Sequence, residues 1–148
     1  MILVTGGAGF IGSNFIHNWF LHTNEPIITI DKLTYAGNLG NLESLKNEIN
    51  FKFVRSDISN KEVVQRLLEK ERPRVVINFA AESHVDRSIQ SPRPFYEANV
   101  IGTLDFVDSC KDYWESLAER EKKEFLFLHI STDEVYGDLS KNEDGFTE

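Results

Sequence analysis

The stretch that most restricts this chain lies at its beginning. Ile2-Leu3-Val4 is a short apolar run, and Thr5-Gly6-Gly7-Ala8-Gly9-Phe10-Ile11-Gly12 follows it directly. From there the apolar period changes. Ile11, Phe15, Ile16, Trp19 and Phe20 recur at i, i+4, i+5, i+8 and i+9, which is one face of a helix. The expected order is strand, glycine turn, helix. Gly7-x-Gly9-x-x-Gly12, overlapped by Gly6-x-x-Gly9-x-x-Gly12, fits the dinucleotide fingerprint. Its glycines allow a tight turn, close approach of backbone to a pyrophosphate, and close packing of helix on strand. A helix starting near Ile11 turns its free N–H groups and positive dipole end toward phosphates. A glycine turn with no ligand is the plainer alternative, and the flanking strand and helix weigh against it.

At 148 residues the chain is one domain or part of one. A net charge of −8 argues against nucleic acid as a partner, which would need clustered Lys and Arg. No apolar stretch approaches the ~20 residues of a membrane span, and the early glycines do not read as a signal peptide. The single cysteine, Cys110, rules out an internal disulfide and suits a reducing compartment. The expected location is cytoplasmic, with no membrane partner and no metal.

Pro26-Ile27-Ile28-Thr29-Ile30 reads as a second strand ending at Asp31, nineteen residues beyond Gly12. A carboxylate at that distance bonds an adenosine ribose diol and repels a 2′-phosphate, so NAD is favoured over NADP. An Asp capping the next turn is the alternative. The loop from Lys32 to Asn41 is a turn by composition, and Leu39, Leu42 and Leu45 follow as a short helical piece. Phe51-Lys52-Phe53-Val54 is the third strand, with Asp57-Ile58 after it. Val63, Val64, Leu67 and Leu68 form the apolar face of a helix over 61–70. Val75 to Phe79 is apolar almost throughout, as a strand covered on both faces is. The segment from Ala80 to Ser88 then leaves its end, where open α/β sheets bind ligands. His84 within it is unremarkable on its own.

A long helix is expected from about Arg93 to Trp114. Phe95, Ala98, Gly102, Phe106, Cys110 and Tyr113 mark one apolar stripe, and Val100, Leu104 and Val107 mark another. Two stripes need two partners. The sheet is one; the other is a helix of a neighbouring subunit, giving a homodimer, or a further part of this chain. Cys110 reads as a small core residue. Ser116 to Lys123 reads as a charged connection, Phe125 to Ile130 as the fifth strand, and Asp138 to Glu148 as a polar tail with a turn at Asp144-Gly145.

Strands alternating with helices, joined by right-handed crossovers, imply a doubly wound parallel sheet of at least five strands in the order 3-2-1-4-5. The fifth strand delivers Ser131-Thr132-Asp133-Glu134. Neighbours in a continuing strand point to opposite faces, so Asp133 and Glu134 can share a substrate only if the chain turns at Thr132. In a dry pocket two carboxylates can divide into an acid and a base, with Thr132 holding a substrate hydroxyl. Two acids merely starting a helix are the alternative.

Taken together, these motifs resemble the extended short-chain dehydrogenase/reductase superfamily and, within it, the dTDP-glucose 4,6-dehydratases. The resemblance runs from Ile2 to Gly137. It is carried by the glycine motif, by Asp31 to Asn38, Asp57-Ile58, Ala80 to Ile89, Asn99 to Thr103 and Ser131 to Gly137. The Asp-Glu pair is the discriminating part, since related epimerases and decarboxylases usually lack it. The resemblance implies a Rossmann-type NAD-binding domain over 1–148, incomplete on its C-terminal side, with the substrate-binding domain elsewhere. It implies cofactor contacts at Gly6, Gly9, Phe10, Ile11, Gly12, Asp31, Lys32, Leu33, Thr34, Asp57, Ile58, Phe79, Ala80, Ala81, Glu82, Ser83 and Ala98. Ser83 and Thr132 are implied to touch a nucleotide sugar.

The implied activity is a lyase reaction: C4 of glucose is oxidised, water is eliminated across C5 and C6, and hydride returns to C6. Glu134 is implied to take the C5 proton and Asp133 to protonate the departing C6 hydroxyl. The family's Tyr-x-x-x-Lys motif is not in the chain; Ser140 follows Tyr136 by four, and Leu117 follows Tyr113. These 148 residues are therefore expected to be inactive alone. Two alternatives stay open: the same chemistry on UDP-glucose or another nucleotide sugar, and an NAD-binding module without turnover.

Overall fold

A computed structural model describes residues 1–141 and 144–147. Five parallel strands form one sheet in the order β3-β2-β1-β4-β5, as the alternation and the crossover rule lead one to expect. They are β1 (Ile2–Thr5), β2 (Ile27–Asp31), β3 (Phe51–Arg55), β4 (Val75–Asn78) and β5 (Leu126–His129). Register is in step across the centre: Ile2 pairs with both Ile27 and Val75, and Thr5 with both Ile30 and Asn78. All five carboxyl ends therefore emerge on one side.

Alternate residues of β1 to β4 feed two cores, and β5 adds only Phe127 to the first. Leu3, Ile28, Ile30 and Val76 face α2 (Lys61–Glu71) and the long helix, where they meet Val64, Leu68, Phe106 and Tyr113. Ile2, Val4, Ile27 and Ile77 face α1 (Phe10–His22) and a 3-10 turn at Leu39–Leu45. Cys110 belongs to the first core, and burial pushes its thiol up to about 12. At that pKa it is protonated and unreactive at neutral pH.

The structure departs from the sequence reading in three elements. A short helix, α3 (Val85–Gln90), occupies the segment after β4. The long helix starts as α4 (Arg93–Phe95), widens into a π turn over Tyr96–Gly102 and resumes as α5 (Thr103–Ser116). The supposed connection after it holds a further helix, α6 (Glu119–Glu124). In the tail, residues 144–147 are irregular, so the expected turn at Asp144-Gly145 is not seen there. Asn142, Glu143 and Glu148 lie outside the described residues.

The end of the sheet away from the carboxyl termini is tied by charge. Arg74 grips Glu25 with Nε at 2.8 Å and a terminal nitrogen at 2.6 Å, and the Met1 amino group adds a third donor at 2.8 Å. The Arg74 hydrogen bonds hold the Glu25 carboxyl at about 2, against the pull of its burial. A depressed carboxyl stabilises the fold above its unfolded pKa, and this contribution fades as pH falls from about 4.5 toward 2. Because Arg74 is half exposed, screening reduces the effect. Glu25→Gln is expected to cost about 1–2 kcal/mol at neutral pH. It is also expected to flatten the acid limb of a stability-against-pH curve from urea melts.

Candidate functional site: a cleft over the strand ends

The strand order reverses between β2-β1 and β4-β5, and ligands of open α/β sheets bind at such a reversal. A cleft of about 380 Å³ opens there. Every strand contributes residues at or just past its carboxyl end: Gly6 and Gly9 from β1, Asp31, Lys32 and Thr34 from β2, and Ser56, Asp57 and Ile58 from β3. Phe79 to Ser83 come from β4, and Ile130, Ser131 and Thr132 from β5. Phe10, Ile11 and Gly12 add the first turn of α1, and Ala98 comes from the π turn.

The glycine crossover is shaped by what a side chain would strike. Gly6 has φ +66°, and a Cβ there would lie 2.8 Å from the Ala80 nitrogen and 2.9 Å from the Phe79 carbonyl carbon. A Cβ on Gly12 would run into the Gly6 carbonyl and come within 2.9 Å of the Gly7 Cα. Helix and turn therefore sit closer than any other residue permits. Gly7 and Ala8 are buried, but Gly6 and Gly9 are half-buried and Phe10 is 81% exposed, so one side of the crossover opens on the cleft.

Asp31 combines the two roles that its position in the sequence left open. Its Oδ2 accepts the Ala8 N–H at 2.9 Å and its Oδ1 the Leu33 N–H at 2.8 Å, so it caps both adjoining loops. It also lines the cleft, and each carboxylate oxygen retains acceptor capacity beyond the one bond it has made. Gly37, read from composition as part of a turn, leaves room for this acid: a Cβ there would lie 2.8 Å from Asp31 Oδ1. Nearby, burial works to raise the Asp57 carboxyl, but the Ser59 N–H and hydroxyl, each at 3.0 Å, and Lys32 at 3.3 Å outweigh it. Asp57 accordingly lies below the ordinary aspartate value.

Leu33 is the exception among the expected cofactor contacts. With φ 59° its backbone turns left-handed, and the side chain packs against the core beside α1 instead of lining the cleft. Residues that sequence reasoning missed include Ile30, Ser56, Ile130, Ser131, Ala36 and Gly37. Most adjoin named residues at strand ends, so the signal was position. Asn99 was also missed as an individual contact. It accepts the Glu82 N–H and donates to the Glu82 carbonyl, both at 2.8 Å, and so clamps the loop after β4 to the π turn.

At the end of β5, Thr132 is extended and a 3-10 turn runs from Asp133 to Tyr136. The turn thus begins one residue past Thr132, at Asp133. Thr132 lines the cleft; Asp133 and Glu134 are exposed just beyond its lining. His84 takes no part in the cleft and sits edge-on to Tyr35, which carries the Arg87 guanidinium 3.8 Å above its ring.

The family model described as GDP-mannose 4,6 dehydratase matches residues 3–148. The chain belongs to this family. Among curated relatives of the family, the dTDP-glucose 4,6-dehydratase of Haemophilus influenzae is 48% identical over 147 residues, 99% of this chain and 44% of the relative. That of Xanthomonas campestris is 49% identical over 139 residues, 94% of this chain and 39% of the relative. The chain thus spans about two fifths of their length. Among solved structures, the Bacillus anthracis dTDP-glucose 4,6-dehydratase in complex with NAD superposes with a TM-score of 0.82 at 40% identity, covering 99% of this chain and 42% of that one. The Thermotoga maritima UDP-glucose 4-epimerase with UDP-glucose gives 0.66 at 32% identity, covering 76% and 34%.

Proposed function

We propose that the protein containing this chain dehydrates dTDP-glucose to its 4-keto-6-deoxy sugar with NAD as resident cofactor. The observation that carries this reading is one continuous cleft. It runs from the side-chain-free glycine crossover, past Asp31, to Thr132 at the threshold of two adjacent carboxylic acids. The residues fit a dinucleotide. Gly6 and Gly12 leave a cradle that any Cβ would fill, α1 begins at its edge with no acidic residue in the first turn, and Asp31 offers acceptors to a ribose diol.

NAD+, when bound, would accept the C4 hydrogen as hydride and return it to C6. The residues present serve binding and the elimination; the Tyr-x-x-x-Lys pair that would take the C4 hydroxyl proton is not among them. Phe10, Ile11, Ala80, Ala81 and Ala98 exclude water along the cleft, while Asp57, Lys32 and Thr34 border its polar side. Ser83 and Thr132 hold sugar-nucleotide hydroxyls. The C4 ketone acidifies the C5 hydrogen, Glu134 removes it, and Asp133 protonates the C6 hydroxyl so that it departs as water. Work on soluble nucleotides supports a cytoplasmic location for this reading. Among the described residues no helix is long and apolar enough to cross a membrane.

Calorimetry on the full-length protein tests the cofactor half. NAD+ is expected to bind at least about tenfold more tightly than NADP+, because Asp31 repels a 2′-phosphate. Equal affinities would remove Asp31 from the ribose role, and no binding of either would remove the reading. The exposure of both carboxylates beyond the cleft lining is the observation that favours a second reading, an NAD-binding module without turnover. UDP-glucose is the alternative substrate of the same chemistry.

The outer stripe of the long helix supports a homodimer. Tyr96 is 65% exposed, Val100 53%, Leu104 55% and Val107 38%, while Phe106, Cys110 and Tyr113 on the other stripe are buried. A two-fold interface brings one surface patch against its own copy, and an apolar helix face of this kind is suited to that. Leu104→Glu is expected to convert the full-length protein from dimer to monomer in sedimentation velocity. An unchanged mass would send the search for the stripe's partner elsewhere in the chain.

A further inference from the structure

Beneath the cleft, three strand ends are joined by side chains. Thr5 and Asn78 are fully buried. The Thr5 hydroxyl donates to Asn78 Oδ1, and Asn78 Nδ2 lies 3.0 Å from His129 Nδ1. The same Thr5 oxygen accepts the Ala80 N–H at 3.2 Å. The direction of these bonds follows from what each group can do. A backbone N–H only donates, so Thr5 Oγ1 accepts from Ala80 and keeps its one proton for Asn78. Asn78 then turns its oxygen to Thr5 and its NH2 to the imidazole, which accepts at Nδ1. Backbone bonds accompany the side chains: the Ile130 N–H donates to the Asn78 carbonyl at 3.1 Å, and the Phe79 N–H to the Thr5 carbonyl at 3.3 Å.

We propose that His129 is a positioning residue for the Ala80–Ser83 wall of the cleft, acting through Asn78 and Thr5. It rests on the dinucleotide reading above. Without the imidazole acceptor, Asn78 keeps a buried NH2 with no partner, and a buried unmade bond costs more than a made one contributes. The amide then rotates in search of an acceptor, the buried Thr5 hydroxyl loses the acceptor for its own proton, and as it turns toward another its bond from the Ala80 N–H weakens. Ala80 is the backbone against which Gly6 closes, so a shift there changes the width of the glycine crossover. His129 also stands three residues before Thr132 on the strand that leads to the acid pair. One exposed side chain thus connects the cofactor wall to the reacting end of β5, and buried polar networks of this kind transmit such changes as a unit.

Two substitutions in the full-length protein separate this role from bulk stability. His129 is exposed, so neither opens a core cavity. His129→Leu removes the acceptor; His129→Asn keeps an oxygen close to where Nδ1 lies. In His129→Leu, hydrogen exchange at the Ala80 amide is expected to quicken about tenfold and NAD+ affinity to weaken about tenfold. In His129→Asn both stay within about twofold of the parent. Adding Thr5→Val to His129→Leu should change exchange no further than Thr5→Val alone, as members of one relay are not additive. Leu and Asn variants that behave alike, an Ala80 amide unmoved in His129→Leu, or additive effects in the double variant would each overturn the proposal. A parent that binds no NAD+ would overturn the dinucleotide reading instead, and exchange at Ala80 would still decide the relay.

Discussion

Glu134→Gln in the full-length protein is expected to lower formation of the 6-deoxy product about a hundred- to ten-thousand-fold, the usual contribution of a placed general base. The amide matches the carboxylate in volume but has no basic lone pair at neutral pH. Its side chain is exposed on the 3-10 turn after β5, so the substitution leaves the fold intact. C4 oxidation is expected to survive, and the 4-keto sugar with its 6-hydroxyl in place should accumulate in proportion to protein. Product analysis by NMR checks both. Normal yields of 6-deoxy sugar from this variant would remove Glu134 from the role.

Gly12→Val carries the second largest effect, and for a different reason. Its Cβ would meet the Gly6 carbonyl and the Gly7 Cα, both backbone, so no side chain can yield to make room. α1 would have to back away from the turn after β1. Overpacking of that kind costs about 3 kcal/mol of stability, and displacing the helix N-terminus from a pyrophosphate should weaken NAD+ binding ~100-fold or more. Urea melts and calorimetry on the full-length protein measure the two losses separately. An affinity within about threefold of the parent would show that the crossover does not hold the phosphates.

The five strands were legible because each is a largely apolar run flanked by turn residues, although helices cover only the central three along their whole length and β5 stays largely exposed. Ile2–Thr5, Ile27–Asp31 and Val75–Asn78 are buried along their whole length, which is what a near-continuous apolar run means in a parallel sheet. α2 was legible from Val64 and Leu68. α6 was not, because Glu119–Glu124 has no apolar stripe at all. What supports it lies elsewhere. Glu121 accepts the Ala118 N–H, Arg72 pairs with Glu121 across 49 residues of sequence, and the Trp114 indole donates to the Lys122 carbonyl. The π turn escaped notice for a similar reason. Its side-chain anchor, Asn99 on Glu82, bridges seventeen residues and leaves no local pattern.

Within the cleft, position along a strand was the reliable signal and orientation was not. A residue just past a carboxyl end lines the cleft whether or not a motif singles it out, as Ser56 and Ile130 do. Leu33 stands in the same run as Lys32 and Thr34, yet with a left-handed backbone its half-buried side chain packs against the core. The Asp31 carboxylate was readable as ribose ligand or loop cap, and spacing could not choose, because the folded chain uses one side chain to cap two loops while it lines the cleft.

The most direct test of a dinucleotide cleft leading to an acid–base pair is the fate of dTDP-glucose incubated with the full-length protein in D2O. Removal of the C5 proton and its replacement from solvent predict a 4-keto-6-deoxy sugar carrying deuterium at C5, with the new C6 hydrogen drawn from C4 of the substrate. A 4-epimer with its 6-hydroxyl retained and no deuterium at C5 would contradict the account.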